Sequence, residues 1–191
     1  MVKLEEFISI PKESGIIATR VKEDDVLTHV RFYNKKEMGE ALVVYTTDMA
    51  RTLMIPISEL SAVKRPTFGY TGIALTQDDK KLISLNIVAE DFAGSLVIIN
   101  KSGKGKKTNL SQFPLKKRSG TGVMSMRVTA DDPAVQVVLA SEGANVIIAS
   151  KQKLMMINEA DITEHTGRIT KGVTLINIPA SDSVQYMGTE N

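Results

Sequence analysis

Leu96-Val97-Ile98-Ile99-Asn100-Lys101-Ser102-Gly103-Lys104-Gly105-Lys106-Lys107-Thr108 is an aliphatic run, a polar turn and a second extended run, and it leads through a loop to Gly122-Val123. Short aliphatic and β-branched runs bounded by Gly, Asn, Ser and Lys read as strands joined by tight turns. The pattern recurs on both sides. Leu42-Val43-Val44 precedes Thr52-Leu53-Met54-Ile55 and Gly72-Ile73, and Val146-Ile147-Ile148 precedes Leu154-Met155-Met156-Ile157 and Gly172-Val173. Gly72, Gly122 and Gly172 stand 50 residues apart, and Gly15-Ile16 is a further copy 57 residues upstream. An aspartate follows each glycine: Asp25, Asp132 and Asp182 after ten residues, Asp79 after a shorter loop. These aspartates read as turn formers. The methionines of the second runs, in phase with the repeat, read as core.

A repeat of about 50 residues with four short strands per unit predicts an all-β array of four-stranded blades around an axis, propeller-like in architecture. No stretch longer than about ten residues carries a 3.6-residue apolar period, so little helix is expected. The prolines fall in connections or at strand ends, where a missing N–H is tolerated. The repeat glycine has a local reason: a positive φ, or close backbone approach at the turn into the unit's third strand. One repeat domain over 1–191 is expected, as a half blade at 1–39 and blades at 40–90, 91–140 and 141–191. The abrupt start after Met1-Val2 reads as a piece of a longer array.

Charge is distributed unevenly. The chain carries a net +2, yet the acid-free stretch between Ser95 and Arg127 holds eight cations, which leaves −6 for the remainder. The cations recur in phase with the blades. Lys64 and Arg65, then Lys116, Lys117 and Arg118, then Arg168 and Lys171 stand in the loop before each repeat glycine. Arg51, then Lys101, Lys104, Lys106 and Lys107, then Lys151 and Lys153 stand around the hairpin turn. Phased cations on successive blades fit a curved polyanion, with phosphates met by Lys and Arg and no base read. The five phenylalanines read as core or turn residues rather than stacking platforms for single strands.

Several classes are set aside. With no cysteine there is neither a disulfide framework nor a thiolate metal site, which fits a reducing cytoplasm. No apolar run nears the roughly 18 residues of a membrane span. His29 and His165 lack metal-ligand spacing, and no nucleophile elbow or phosphate loop is present, since Gly103-Lys104-Gly105-Lys106-Lys107-Thr108 lacks the required spacing. Neither catalytic residues, nor a metal, nor a cofactor are expected.

The residues also carry a family resemblance. Ile99 to Thr108 resembles the N-G-Y-G-K-R-T strand-turn-strand of bacterial DNA gyrase A subunits. Phe113-Pro114-Leu115-Lys116-Lys117-Arg118-Ser119-Gly120-Thr121-Gly122-Val123 is similar to that family's loop before a K-G-V-type strand, and Gly167-Arg168-Ile169-Thr170-Lys171-Gly172-Val173-Thr174-Leu175-Ile176 to its G-R-x-T-x-G-V-x-L-I element. Ser14-Gly15-Ile16-Ile17-Ala18 matches the corresponding element of an earlier blade, so the resemblance runs from Pro11 to Met187. It implies the C-terminal DNA-wrapping domain of a type IIA topoisomerase A subunit, of the gyrase or the topoisomerase IV kind. With it come a β-pinwheel whose blades exchange strands and double-stranded DNA bent around a basic rim. The implied partners are the ATPase B subunit of an ATP-dependent enzyme and the rest of the A subunit. The hallmark heptapeptide Q-R-R-G-G-K-G is not intact; its positional match, Lys116 to Gly122, keeps one arginine and two glycines. The family's catalytic tyrosine region is not represented: Tyr33, Tyr45, Tyr70 and Tyr186 stand in strand or turn contexts. The rival reading is a propeller that binds protein, supported by the acidic remainder such as Glu23-Asp24-Asp25 and Asp78-Asp79.

Overall fold

The strand–turn–strand pattern becomes the backbone of three antiparallel sheets. A computed structural model describes residues 1–8, 15–164 and 167–190. Its strands are β1 (Ala41–Thr47), β2 (Arg51–Pro56), β3 (Leu82–Ala89), β4 (Gly94–Asn100), β5 (Lys104–Asn109), β6 (Val123–Met124), β7 (Ala134–Ser141), β8 (Asn145–Ser150), β9 (Leu154–Asn158), β10 (Val173–Thr174) and β11 (Val184–Glu190). They assemble in the orders β3-β1-β2-β6, β10-β5-β4-β7 and β11-β8-β9. A four-residue α-helix, Lys35–Met38, and single 3-10 turns are the helical elements among the described residues.

Each of the first two sheets takes its outer strand from the following unit. The two residues after Gly122 cross back to the first sheet, with Met124 opposite Arg51 and Val123 opposite Thr52. Those after Gly172 cross to the second, with Val173 opposite Gly105 and Thr174 opposite Lys104. The glycine turns the chain into the exchanged strand rather than into a strand of its own blade. Gly122 has φ +73°, and a Cβ there would lie 2.6 Å from the Thr52 carbonyl oxygen; Gly172 has φ +71° and would lie 2.5 Å from that of Gly105. Positive φ and close approach together make any other residue costly. At the opposite edge, β3 lies against β7 and β7 against β11, which makes these the inner strands of the array. The Ala134 amide donates to the Asp48 carbonyl at 2.9 Å and the Val184 amide to the Lys101 carbonyl at 3.1 Å, so one junction is built twice.

The core sits between sheets. Val44, Met54, Leu96, Ile98, Phe113 and Met126 fill the first interval; Val97, Ile99, Val146, Ile148, Ile162 and Leu175 fill the second. Both faces of β1 and β4 are covered, so these strands are buried along their whole length and read as continuous apolar runs rather than alternating ones. Truncating a residue such as Leu96 to alanine would cost about 2–5 kcal/mol.

The recurrent aspartates do more than form turns. Asp79 accepts from the Thr47 hydroxyl and from the Thr76 amide and hydroxyl. Asp132 accepts from Asn100 and from the amide and hydroxyl of Ser102, and Asp182 from the Ser150 hydroxyl and the Lys151 amide. Each pins the loop ahead of an inner strand onto the hairpin turn of the same sheet.

Several expectations are corrected. The half blade at 1–39 forms no strand among its described residues, and neither does Gly72-Ile73. An exchanged strand needs the second strand of the preceding unit as partner, and no described strand precedes Gly15. The stretch keeps the repeat's phase: the 3-10 turn Leu4–Phe7 matches those at Ile57–Glu59, Leu110–Gln112 and Glu159–Asp161, which directly follow β2, β5 and β9. Ser14, part of the matched motif, lies outside the described residues. Met54 is core, but Met156 is exposed on β9, an edge strand. Phe113 is core, whereas Phe32 and Phe68 are exposed.

Candidate nucleic-acid interface

The loop before each exchanged strand runs along the outer edge of the preceding sheet. The Lys116 amide donates to the Met54 carbonyl at 2.9 Å, and Leu115 bridges Met54 in parallel, as Glu164 bridges Lys107 one unit on. This path turns Lys116, Lys117 and Arg118 outward, and all three are exposed. The Arg118 guanidinium stacks over the Tyr70 ring at 5.0 Å. Ser119 ties the same loop to the previous one, its amide donating to the Gly72 carbonyl at 2.7 Å and its hydroxyl to the Thr71 carbonyl at 3.0 Å. A stacked guanidinium keeps its N–H groups at the ring's rim, free for phosphate oxygens.

In the next loop Lys171 is exposed and Arg168 is half-buried, its Nη1 donating to the Gln112 carbonyl. Arg65, in the loop before, makes the matching contact: its Nε donates to the Glu6 carbonyl at 2.8 Å, one repeat earlier. It also lies 5.7 Å over the Phe7 ring and 3.9 Å from a Glu6 carboxylate oxygen, while Lys64 beside it is exposed. Arg65 and Arg168 therefore strap loops of neighbouring units together. At the hairpin turns Lys101, Lys104, Lys151 and Lys153 are exposed, with the Lys153 ammonium donating to the Asn177 carbonyl. Arg51 is half-buried, its Nε 3.9 Å from Asp79. Burial alone would raise the Asp79 pKa, but the Thr47 and Thr76 hydrogen bonds and the Arg51 charge outweigh it and hold the carboxyl below its ordinary value.

Two expected contacts are not on this surface. Lys106 is fully buried, and its Nζ donates to the Gly167 carbonyl at 2.7 Å and the Arg168 carbonyl at 2.8 Å. The register explains why. Thr52, Gly105 and Leu154 hold the same place in the three hairpins, so Lys106 falls in the column of Leu53 and Met155, which points inward. Burial lowers the Lys106 pKa to about 8. Lys107, on the other face of β5, forms an ion pair with Glu159 at 3.0 Å and donates to its carbonyl at 2.9 Å. Both side chains join the second sheet to the third unit.

Sequence reasoning counts Arg127 among the eight cations but leaves it, with Lys80 and Lys81, out of the contact set. Arg127 is exposed just past β6, with its amide on the Thr170 carbonyl at 2.8 Å; Lys80 and Lys81 are exposed with their amides on Asp48 at 3.0 and 3.3 Å. Adjacent acids at Asp78-Asp79 obscured the latter pair. Among the described residues no three His, Asp or Glu side chains gather as a metal site, and no helix is long and apolar enough to cross a membrane. His165 lies outside the described residues.

The comparisons fit this arrangement. The model of the DNA gyrase C-terminal domain, beta-propeller, matches residues 50–88, 94–141 and 154–188, together more than half of the chain. The chain belongs to the DNA gyrase C-terminal domain family. Each matched segment of this gyrase-type domain holds a second hairpin strand, the loop with its repeat glycine and an inner strand. The DNA gyrase A protein of Pseudomonas aeruginosa is 29% identical over 177 residues, covering 92% of this chain and 18% of that protein. The DNA gyrase A protein of Helicobacter pylori is 27% identical over 189 residues, covering 97% and 22%. The chain thus spans about a fifth of the length of the curated relatives it matches. Among solved structures, the C-terminal domain of DNA topoisomerase IV superposes with TM-score 0.86 at 19% identity, over 98% of this chain and 57% of that one. The DNA gyrase A C-terminal domain gives 0.76 at 19% identity, over 93% and 59%. The all-β, propeller-like fold expected from the repeat is the fold of these domains.

Proposed function

We propose that this chain binds duplex DNA without reading its sequence and bends it along the outer edges of successive sheets. It would do so as part of the A subunit of a type II DNA topoisomerase, gyrase or topoisomerase IV, in the cytoplasm. The carrying observation is that the exposed cations Lys116, Lys117 and Arg118, and then Lys171, occupy the same loop on successive sheet edges. The contact set is these four with Lys64, Lys101, Lys104, Lys151 and Lys153, and with Arg51, Arg65 and Arg168 at its inner margin. Lys106 and Lys107 act behind it.

The physical case is simple. Phosphates need cations and no base-specific geometry. Bending a duplex through 40–90° over 20–30 base pairs costs of order 1–6 kcal/mol, which contacts at several points along a curve offset. In this reading ATP hydrolysis belongs to the B subunit, and strand cleavage to the remainder of the A subunit. The protein-binding alternative loses Asp79, which is committed to an internal clamp.

The test is binding to unrelated duplexes across a salt range. Affinity should be the same for each sequence and should drop steeply between about 50 and 200 mM salt. Affinity that stayed flat with salt, or favoured one sequence strongly, would reject the proposal.

A further inference from the structure

Lys106 is a buried ammonium with no carboxylate partner among the described residues, in a column where the other hairpins carry Leu53 and Met155. Folding alone does not require a lysine there, since those hairpins close with apolar residues. What distinguishes Lys106 is its pair of acceptors. The carbonyls of Gly167 and Arg168 belong to the loop that carries Arg168 and Lys171 along the edge of the second sheet. From that loop Arg168 reaches the Gln112 carbonyl, at the root of the loop that carries Lys116 to Arg118. One chain of contacts thus runs from β5 through the third unit's loop to the second unit's loop.

We infer that Lys106 is a positioning residue for DNA bending. It touches no DNA; by holding the Gly167 and Arg168 carbonyls it fixes the distance between the cationic loop at Lys116–Arg118 and the one at Arg168–Lys171. A duplex meeting two loops at one fixed spacing has its curvature set by the protein, whereas a loosely held second loop follows the duplex and leaves it straighter. The inference rests on the proposed DNA binding and assigns the bend to a side chain behind the surface.

The test uses Lys106→Met, which copies the residue at the equivalent place in the third hairpin, and Ile162→Ala, which truncates the core of the same unit without touching the carbonyl pair. The chain has no cysteine, so Thr121→Cys and Ile169→Cys, both exposed, take spin labels at unique sites. The free protein should show one narrow distance between the labels. Lys106→Met should broaden it and cut the acceleration of ring closure of a duplex of about 150 base pairs by at least about half, with affinity within roughly threefold. Ile162→Ala should lower thermal stability while keeping the narrow distance and the ring closure. Equal ring closure by Lys106→Met, or its loss in both variants alike, overturns the inference. If Lys106→Met does not fold, the wild-type distance decides: a broad distribution that narrows only with DNA overturns it. Absence of duplex binding by the wild type is a different result, and rejects the proposed function instead.

Discussion

Lys106 and Lys117 lie eleven residues apart in the same acid-free stretch, yet one is sealed inside and the other faces solvent. The first sits on β5, where the third unit's loop folds across the strand and supplies two carbonyls. The second sits on a loop that itself crosses the preceding sheet and has nothing over it. The difference teaches that a cation in this architecture reaches solvent only if the following unit does not cover it, and that exchange of strands decides the covering.

The comparison breaks most severely if the exchange is undone. Gly172→Ala adds a Cβ 2.5 Å from the Gly105 carbonyl oxygen at a φ of +71°. The left-handed backbone alone costs about 1–2 kcal/mol, and with the clash we expect about 3 kcal/mol of lost stability. Chemical denaturation should show this, and acetylation should find Lys106 newly reactive. Gly143→Ala is the contrast: its φ is +75° but nothing lies within 4 Å, so about 1 kcal/mol is expected. Equal losses at the two sites would mean that the exchanged strand contributes nothing.

A second prediction concerns the exposed side of the comparison. Replacing Lys116, Lys117 and Arg118 together by alanine should reduce the salt slope of DNA binding by up to about 3, near one per phosphate contact. Thermal stability should hold within about 0.5 kcal/mol. A large loss of stability would place these side chains inside the structure, not on its surface.

A third, smaller effect follows from the buried side. Lys106 has a folded-state pKa near 8 against 10.5 in the unfolded chain. Between these values the unfolded state binds the extra proton, so stability contributed at this site rises with pH across that window. The stability of the wild type relative to Lys106→Met should therefore improve as pH rises from about 8 toward 10.5 and level off above it. A pH-independent difference would mean that the ammonium is hydrated.

The smallest is at low pH. The Ser150 hydroxyl bond first, then amide bonds from Ser183 and Lys151, hold the Asp182 carboxyl below its ordinary value. Its contribution is present above the ordinary carboxylate pKa of 3.8 and is lost as pH falls through the lowered folded value. Asp182→Asn should thus be less stable than wild type at neutral pH and converge with it in acid. Parallel curves would show that the charge at this clamp is immaterial.

Much of this is legible in the chain. The 50-residue spacing of Gly72, Gly122 and Gly172 sets the number and order of units, because Gly122 and Gly172 meet the same backbone constraint. Strand exchange is not readable from spacing: Val123 and Val173 are as compatible with their own sheet as with the preceding one, and only the pairing register separates the two. The cationic loops stand out for a physical reason, their phase. The fates of Lys106 and Lys107 escape a reading that weighs charge ahead of the strand column. Aligning Lys106 with Leu53 and Met155 places it inward on strand periodicity alone.

The central claim, that successive sheet edges bend a duplex, is tested most directly by the end-to-end distance of a duplex of about 40 base pairs carrying a donor and an acceptor dye at its ends. On saturation with the wild-type chain at low salt the distance should shorten, and it should return as salt releases the protein. A duplex that is fully bound yet keeps its free length would contradict the account.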